Sequence, residues 1–471
     1  MKHLCVIFAF LLVVTSFSAS YAEEPAPPNI VYILADDAGY ADFGCYGGES
    51  IPTPNIDRMA AEGMRFTQHY AGDTVCAPSR CVLLTGLHTG HCRIRGNSPG
   101  VMRPEDVTVA ELLQDAGYRT GCSGKWGVGA PLPLDDPAHN GFDHFYGYIS
   151  MWHAHNFYPE FLIRDGQKDP LRNVVDERWQ GGDGRGIATT KLDYAPFLIV
   201  DDAIEFIEES SDQPFFLYLA LNTPHANNEA GGAKTPERGM EVPDFGPFAD
   251  EEWPGPEKGF AAMIHNIDLW VGRVLDTLKE QGIDDNTLVI FTSDNGPHQE
   301  GGHQMEYFNS NGELRGMKRD FYQGGVRVPM IAHWPGRIAP GESDHICAFQ
   351  DVLPTLTELA GAETPDGLDG ISMLPTLLSN NDAQTEHDYL YWEFSEQGGK
   401  QAVRQGPWMC VRLNISRETP SSPELYDLRV DLSETNDVAE DHPKIVQRML
   451  GYMEASHVPS DAYPLHFSEK N

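Results

Sequence analysis

Residues 76 to 86 read Cys76-Ala-Pro78-Ser79-Arg80-Cys81-Val-Leu-Leu-Thr-Gly86, a thiol at the head of a helix-like run with a proline and an arginine close behind it. Alone, this is a buried cysteine before a Pro-Ser turn, with Arg80 on the helix surface. Two acidic sites bracket it. Asn29-Ile-Val-Tyr-Ile-Leu-Ala-Asp36-Asp37 carries five apolar residues, Ile30 to Leu34, as in a strand buried on both faces. Its two carboxylates then fall at the C-terminal strand end, where open α/β sheets place ligands. Adjacent carboxylates repel, so a bound cation is a natural way to keep both ionised. Leu288-Val-Ile-Phe-Thr-Ser-Asp294-Asn295-Gly296 repeats the pattern of apolar strand followed by acid. Three carboxylates and one amide oxygen form a hard oxygen set suited to Ca²⁺ or Mg²⁺ rather than zinc. Cations and a histidine complete the inventory: Gly124-Lys125-Trp126-Gly127, Thr223-Pro224-His225 after an apolar strand, and Leu314-Arg-Gly-Met-Lys318. Each alone reads as a solvated turn, a loop histidine or a surface lysine.

Together, and in this order, these segments resemble the type I sulfatases. The 76–86 run is similar to the family signature C-x-P-S-R-x-x-L-L-T-G, in which a maturation enzyme oxidises the cysteine to formylglycine, an aldehyde whose hydrate attacks the sulfate ester. The resemblance implies formylglycine at Cys76. It implies one divalent ion, normally calcium, on Asp36, Asp37, Asp294 and Asn295, also touching residue 76 and a sulfate oxygen. It implies that Arg80 and Lys125 stabilise the formylglycine and the anion, and that Lys125, His225 and Lys318 contact the sulfate, with His225 or Lys318 protonating the leaving alcohol. Similar segments at Gly141-Phe-Asp-His-Phe-Tyr-Gly147, Gly324-Gly-Val-Arg-Val-Pro329, Trp334-Pro-Gly336 and Glu424-Leu-Tyr-Asp427 extend the resemblance over roughly residues 29 to 440.

Two positions depart from the family pattern. Gly127 stands where Gly-Lys-Trp-His-x-Gly has a histidine, credited with steadying the aldehyde hydrate or taking its proton. Water, a carboxylate, His88 or His91 are candidates for that role. Gln323 replaces a frequent glutamate and is expected to act from behind the site.

Positioning these residues requires a regular scaffold. Helix candidates at 107–116, 195–209, 260–279 and 350–360 alternate with apolar strands. In the third, Phe260, Ile264, Ile267, Val271, Val274 and Leu278 recur at helical spacing. Such alternation from residue 29 to about 360 predicts an α/β fold with a mainly parallel sheet covered on both faces, and the family fold is alkaline phosphatase-like. The expected catalytic domain spans 23–370. Short strand-like runs and a final helix candidate predict a smaller antiparallel α+β subdomain over 371–471. The Gly-, Pro- and acid-rich stretch 225–258 reads as a long loop.

Met1-Lys-His, an apolar run from Leu4 to Val14 and Ser20-Tyr-Ala22 predict a secretory signal over residues 1–22. The apolar run is too short to cross a bilayer, so an exported protein is expected, periplasmic or secreted, without a membrane span. A formal net charge of −37 argues against a nucleic-acid partner. The cysteine spacing shows neither a disulfide scaffold nor a zinc pattern, and no bridge is assigned.

Met151-Trp-His153-Ala-His155-Asn-Phe-Tyr-Pro159 interleaves histidines with aromatics. It is open to three readings: zinc ligands, a half-buried strand or a sugar-recognition loop. The expected substrate is a sulfated carbohydrate, with His153 or His155 on the sugar. The main rival is a formylglycine-dependent phosphonate or phosphate ester hydrolase, disfavoured by Asp294-Asn295 in place of an Asp-x-His pair. A catalytically silent carbohydrate-binding homologue draws its support from Gly127.

Overall fold

The computed structural model describes residues 27–97, 100–180 and 182–467; the expected signal segment lies outside them. Five adjacent parallel strands form the centre of a ten-stranded sheet, in the order Thr287–Ser293, Asn29–Asp36, Phe215–Pro224, Arg119–Lys125 and His144–Tyr148. Antiparallel strands Met330–His333 and Phe161–Arg164 start the two edges. The central strands are apolar without alternation because both faces are covered. Val31 and Ile33 enter one core with Leu217, Leu219, Val289 and Phe291, while Ile30, Tyr32 and Leu34 enter the other with Phe216, Tyr218, Leu288 and Ile290. Helices Pro54–Glu62, Ala195–Ser210 and Gly255–Glu280 supply the first core; Cys76–Thr85, Val109–Asp115 and Val352–Ala360 supply the second.

The helix Gly255–Glu280 begins before its apolar stripe, with Pro256 in the first turn, where a missing N–H costs nothing. Asp268 on this helix is buried and polar for a reason. Its carboxylate accepts the backbone N–H groups of Asn55 and Ile56, both at 2.9 Å, satisfying donors that the start of helix Pro54–Glu62 leaves orphaned. The loop over 225–258 is not loose: Ala226, Met240, Val242 and Phe248 pack into the first core.

C-terminal to these layers, strands Leu390–Phe394, Lys400–Gln405, Trp408–Arg412 and Glu424–Asp427 form an antiparallel sheet. Its Trp392, Phe394, Met409 and Val411 pack against Tyr70, Val75 and Phe321. Its other face, with Tyr391, Val403 and Cys410, is covered by Met449 and Met453 of helix Pro443–Ser456. The cysteines in the described residues are free thiols. Among those residues no helix is long and apolar enough to cross a membrane.

Register brings the chemistry to one level. Ala35 pairs with Ser293 and Ala220 with Gly124, so Asp36, Asp294 and Lys125 leave the sheet at the same edge. Gly124 makes this possible. Its φ is +121°, and a Cβ there would collide with the carbonyl oxygen of Ala220 on the neighbouring strand. We expect Gly124→Ala to lower stability by about 2–4 kcal/mol in urea unfolding, from overpacking and backbone strain together. Gly341→Ala, at an exposed position with nothing within 4 Å, should stay within about 0.5 kcal/mol. Equal midpoints for the two variants would refute this account of the strand crossing.

Candidate active site

Neighbouring residues of a strand point to opposite faces, so Asp36 and Asp37 cannot both reach one site from regular extended backbone. The chain resolves this with a left-handed residue: Asp37 has φ +70°. The pairing with Phe215–Pro224 also slips between Leu34 and Asp36. Asp36 then faces Lys125, Oδ2 to Nζ 2.6 Å, and Asp37 faces Lys318, Oδ2 to Nζ 2.8 Å. Asp294 enters from the next strand and accepts the backbone N–H of Asp37 at 3.1 Å. The side-chain amide of Asn295 donates to Asp37 at 2.8 Å.

Cys76 is the first residue of helix Cys76–Thr85, all of whose residues are buried. Arg80, one turn on, donates Nε and Nη2 to Asp294 Oδ2 at 3.0 and 2.8 Å and Nη1 to the Lys125 carbonyl at 2.6 Å. Ser79 accepts from Gly72 N–H and donates to the Asp294 carbonyl. The helix start is thus bolted to two strand ends. Burial pushes the Cys76 thiol up. Burial works to lower the Lys125 pKa, but the Asp36 carboxylate outweighs it. Burial and the Asp36 charge push the Asp294 carboxyl up to about 7 against the pull of Arg80.

His225 sits just past the end of strand Phe215–Pro224. Its Nδ1 lies 2.7 Å from the Ala226 carbonyl and must carry the ring proton there, since a carbonyl only accepts. Nε2 is therefore the acceptor, and Lys318 Nζ donates to it at 3.0 Å. Burial and the Lys318 charge hold the His225 pKa down to about 3, so the resting ring is neutral. Lys318 also meets Glu300 Oε2 at 3.1 Å, and Glu300 Oε1 meets the Arg319 guanidinium at 2.8 Å.

The site thus gathers Cys76, Arg80, Lys125, His225, Lys318, Asp36, Asp37, Asp294 and Asn295. His155 joins it indirectly: its ring stacks on His225 at 4.9 Å, and its Nδ1 faces Glu229 at 3.3 Å. His153 does not join. It is buried against Tyr148 and Phe161, with Nε2 on the Phe161 carbonyl. His88 and His91 stack on each other and share Asp369, beyond the far end of the helix that Cys76 begins. Gly90 N–H donates to His88 Nδ1, which leaves the proton of the neutral ring on Nε2, toward Asp369. Gln323 lies behind the site, accepting from Tyr70 at 2.8 Å. At Gly127, φ is +77° and a Cβ would stand 3.1 Å from Arg80 Cδ, so a histidine there would be both strained and crowded.

Three residues enter the site that no motif singled out. Asn97 Oδ1 lies 3.7 Å from Cys76 Sγ, and Glu300 and Arg319 border Lys318. Only adjacency to Lys318 hinted at Arg319; Asn97 and Glu300 sit in polar loops without a distinguishing pattern.

The donor set fits a hard divalent cation. Asp36, Asp37 and His225 can each offer an atom within 4.8 Å of the others. Asp36 Oδ1 and Asn295 Oδ1 are buried without a hydrogen-bond partner among the described residues. Asp36 Oδ1 has only the Arg80 guanidinium at 3.6 Å, and water-excluded acceptor oxygens without hydrogen bonds are costly unless a ligand completes them.

The Sulfatase family profile matches residues 28–362, and that of the C-terminal region of N-sulphoglucosamine sulphohydrolase matches 315–456. The chain is 36% identical over 468 residues to arylsulfatase A of Homo sapiens, covering 90% of this chain and 86% of that protein. It is 29% identical over 500 residues to the N-acetylgalactosamine-6-O-sulfatase of Bacteroides thetaiotaomicron, covering 91% and 93%. The solved structure of Ps i-CgsB in complex with k-i-k-neocarrahexaose superposes with a TM-score of 0.75 at 28% identity, over 91% of this chain and 92% of that one. With the strand-end acids, the buried signature helix and the lysine–histidine pair assembled on an alkaline phosphatase-like sheet, the chain belongs to the sulfatase family and is a sulfuric ester hydrolase.

Proposed function

We propose that this enzyme removes sulfate from a sulfated carbohydrate, using formylglycine made from Cys76 by a maturation enzyme and a calcium ion on Asp36, Asp37, Asp294 and Asn295. The observation that carries the reading is that residue 76 heads a buried helix within the field of Lys125 and Lys318, beside those oxygen ligands. The leader read at residues 1–22 supports an exported enzyme. Formylglycine would supply the oxygen nucleophile that a thiol lacks. The cation would offset charge on a sulfate oxygen.

The chain's own groups divide the remaining work. Arg80 has its guanidinium committed to Asp294 and the Lys125 carbonyl, so it acts as a fixed charge behind residue 76. Lys125, anchored by Asp36, presents its ammonium to the sulfate. The leaving alkoxide needs a proton, and the resting site stores it on Lys318, because His225 Nε2 is an acceptor there. Lys318 delivers it directly or through Nε2. From the 151–159 turn, we infer that sugar contact comes through His155 and the exposed Trp152 beside it, since the His153 imidazole is committed to a carbonyl.

Cys76→Ala should lower turnover by at least about 10³-fold with an unchanged melting temperature. Mass analysis of the peptide containing residue 76 should find formylglycine in the wild type and lose it in Arg80→Ala. Unmodified cysteine in a fully active enzyme would refute the reading, and faster release from phosphonate or phosphate esters than from sulfate esters would favour the rival hydrolase.

Asp36→Ala and Asp294→Asn should weaken calcium binding at least about tenfold, measured by titration of the chelated protein, with activity falling in parallel. Full activity after exhaustive chelation would remove the metal from the scheme.

His225→Ala should cost about 10²–10⁴-fold on an alkyl sulfate, whose leaving group needs a proton. The loss should be clearly smaller on an aryl sulfate with an acidic phenol. Equal losses would place His225 in sulfate binding alone.

A further inference from the structure

Around Lys318 the exposure of side chains rises in a fixed direction. Lys318 and His225 are 2% exposed, Glu300 is 17% and Arg319 is 32%. Glu300 and Arg319 are therefore the solvent-side neighbours of the proton-storing lysine, where the alcohol half of an ester held at Lys318 must lie.

Glu300 is an unexpected residue in that place. A carboxylate beside an anion pocket weakens the pocket's positive field. It is not required to balance Lys318, which is already paired with Asp37 at 2.8 Å. What a carboxylate adds is acceptor capacity: two oxygens with about four lone-pair sites, of which Lys318 and Arg319 take one each. Such a group complements a hydroxyl donor. The guanidinium beside it adds donors in a planar fork, complementary to hydroxyl and ring oxygens.

The pair is also held rigidly. Arg319 is a non-glycine residue at φ +79°, a conformation that persists only where surroundings impose it. Its N–H donates to the Thr74 carbonyl at 2.9 Å, two residues before Cys76, and its own carbonyl accepts from Lys400 Nζ at 2.5 Å. The left-handed turn sends consecutive side chains apart, Lys318 inward to Asp37 and Arg319 to the outer oxygen of Glu300. Glu300 is fixed from its own side, its N–H donating to His298 Nδ1 at 3.0 Å while His298 Nε2 lies 3.0 Å from the Pro224 carbonyl.

We propose that Glu300 and Arg319 are the specificity-determining pair of this site, a carboxylate and guanidinium that hydrogen-bond the hydroxyl groups of the sugar ring carrying the sulfate ester. This rests on the carbohydrate sulfatase reading above and goes beyond it. The pair selects an alcohol half with a free hydroxyl close to the ester, and selects against aryl or fully apolar alcohols, which leave the carboxylate without a donor.

The test is a cycle between protein and substrate. The mature wild type, Glu300→Gln, Glu300→Ala and Arg319→Ala are assayed on a sulfated monosaccharide and on its single-deoxy analogues, each with the sulfate retained. In the wild type, removal of at least one ring hydroxyl should lower kcat/KM about tenfold or more, as for a hydrogen bond to a charged group. In Glu300→Ala or Arg319→Ala that penalty should shrink to within about twofold. Glu300→Gln, which keeps the shape and one acceptor oxygen, should give an intermediate penalty and guards against misfolding of the alanine variant. A mere disturbance of Lys318 would slow parent and deoxy substrates alike and leave the ratio untouched. Deoxy penalties that persist at full size in all variants, or the absence of any penalty in an active wild type, would overturn the proposal alone. A wild type that releases sulfate from aryl esters but from no sulfated saccharide would overturn the carbohydrate reading, and the proposal with it.

Discussion

Four carboxylates and four cations share one largely water-excluded space at the C-terminal edge of the parallel strands, and this crowding of charge is the constraint on which the rest of the structure depends. Asp36, Asp37, Asp294 and Glu300 meet Arg80, Lys125, Lys318 and Arg319 in ion pairs of 2.6 to 3.1 Å. Removing one partner from such a buried pair costs about 3–5 kcal/mol, because the other charge is left without compensation. The scaffold must therefore deliver every member together. It does so by register. The strands that carry Asp36, Asp294, Lys125 and His225 are contiguous and parallel, and their ends coincide. The signature helix is pinned to the same edge through Arg80 and Ser79.

The same crowding accounts for the local irregularities. A left-handed Asp37 is the means by which two adjacent acids reach one site. A left-handed Arg319 separates two adjacent cations into different tasks. Gly124 removes a side chain where strand Arg119–Lys125 must bring Lys125 beside Asp36. At Gly127 a positive φ and the nearby Arg80 side chain leave no comfortable room for a side chain, and Asn97 Oδ1 approaches Cys76 Sγ at 3.7 Å. Strain of this kind is sustained by the two apolar cores on either side of the sheet, which hold the strand ends rigidly.

Electrostatics then sets the resting protonation of the site. The overall charge of −37 resists an anionic substrate at long range, but salt screens that effect within about 10 Å. Inside the pocket, Lys125 and Lys318 stay protonated because carboxylates outweigh their burial, whereas His225 is kept neutral. At rest, the transferable proton between the two therefore sits on Lys318, with His225 Nε2 accepting it at 3.0 Å, the arrangement on which the proposed leaving-group protonation rests.

The buried central strands, several of the long helices, the antiparallel C-terminal sheet and the nine motif residues that the structure gathers could be read along the chain, whereas the helix Pro54–Glu62 and the antiparallel edge strands Met330–His333 and Phe161–Arg164 were not. Apolar runs ending in Asp36-Asp37 and Asp294-Asn295 signal buried parallel strands with chemistry at their tips, and the stripe from Phe260 to Leu278 signals a packed helix. These signals are local, because period and strand-end composition are written in consecutive residues. Asn97, Glu300 and Arg319 carried no such mark, for they lie in loops whose conformation no periodicity records. The histidines at 153 and 155 show the limit most clearly. Two residues apart in one aromatic turn, they are alike in sequence, yet one ring stacks on His225 and the other turns to a backbone carbonyl. The chain alone determined which chemical groups are present and at which strand ends they emerge; only the tertiary structure decided which of them touch, because partners some twenty to nearly three hundred residues apart meet through packing that no local pattern encodes.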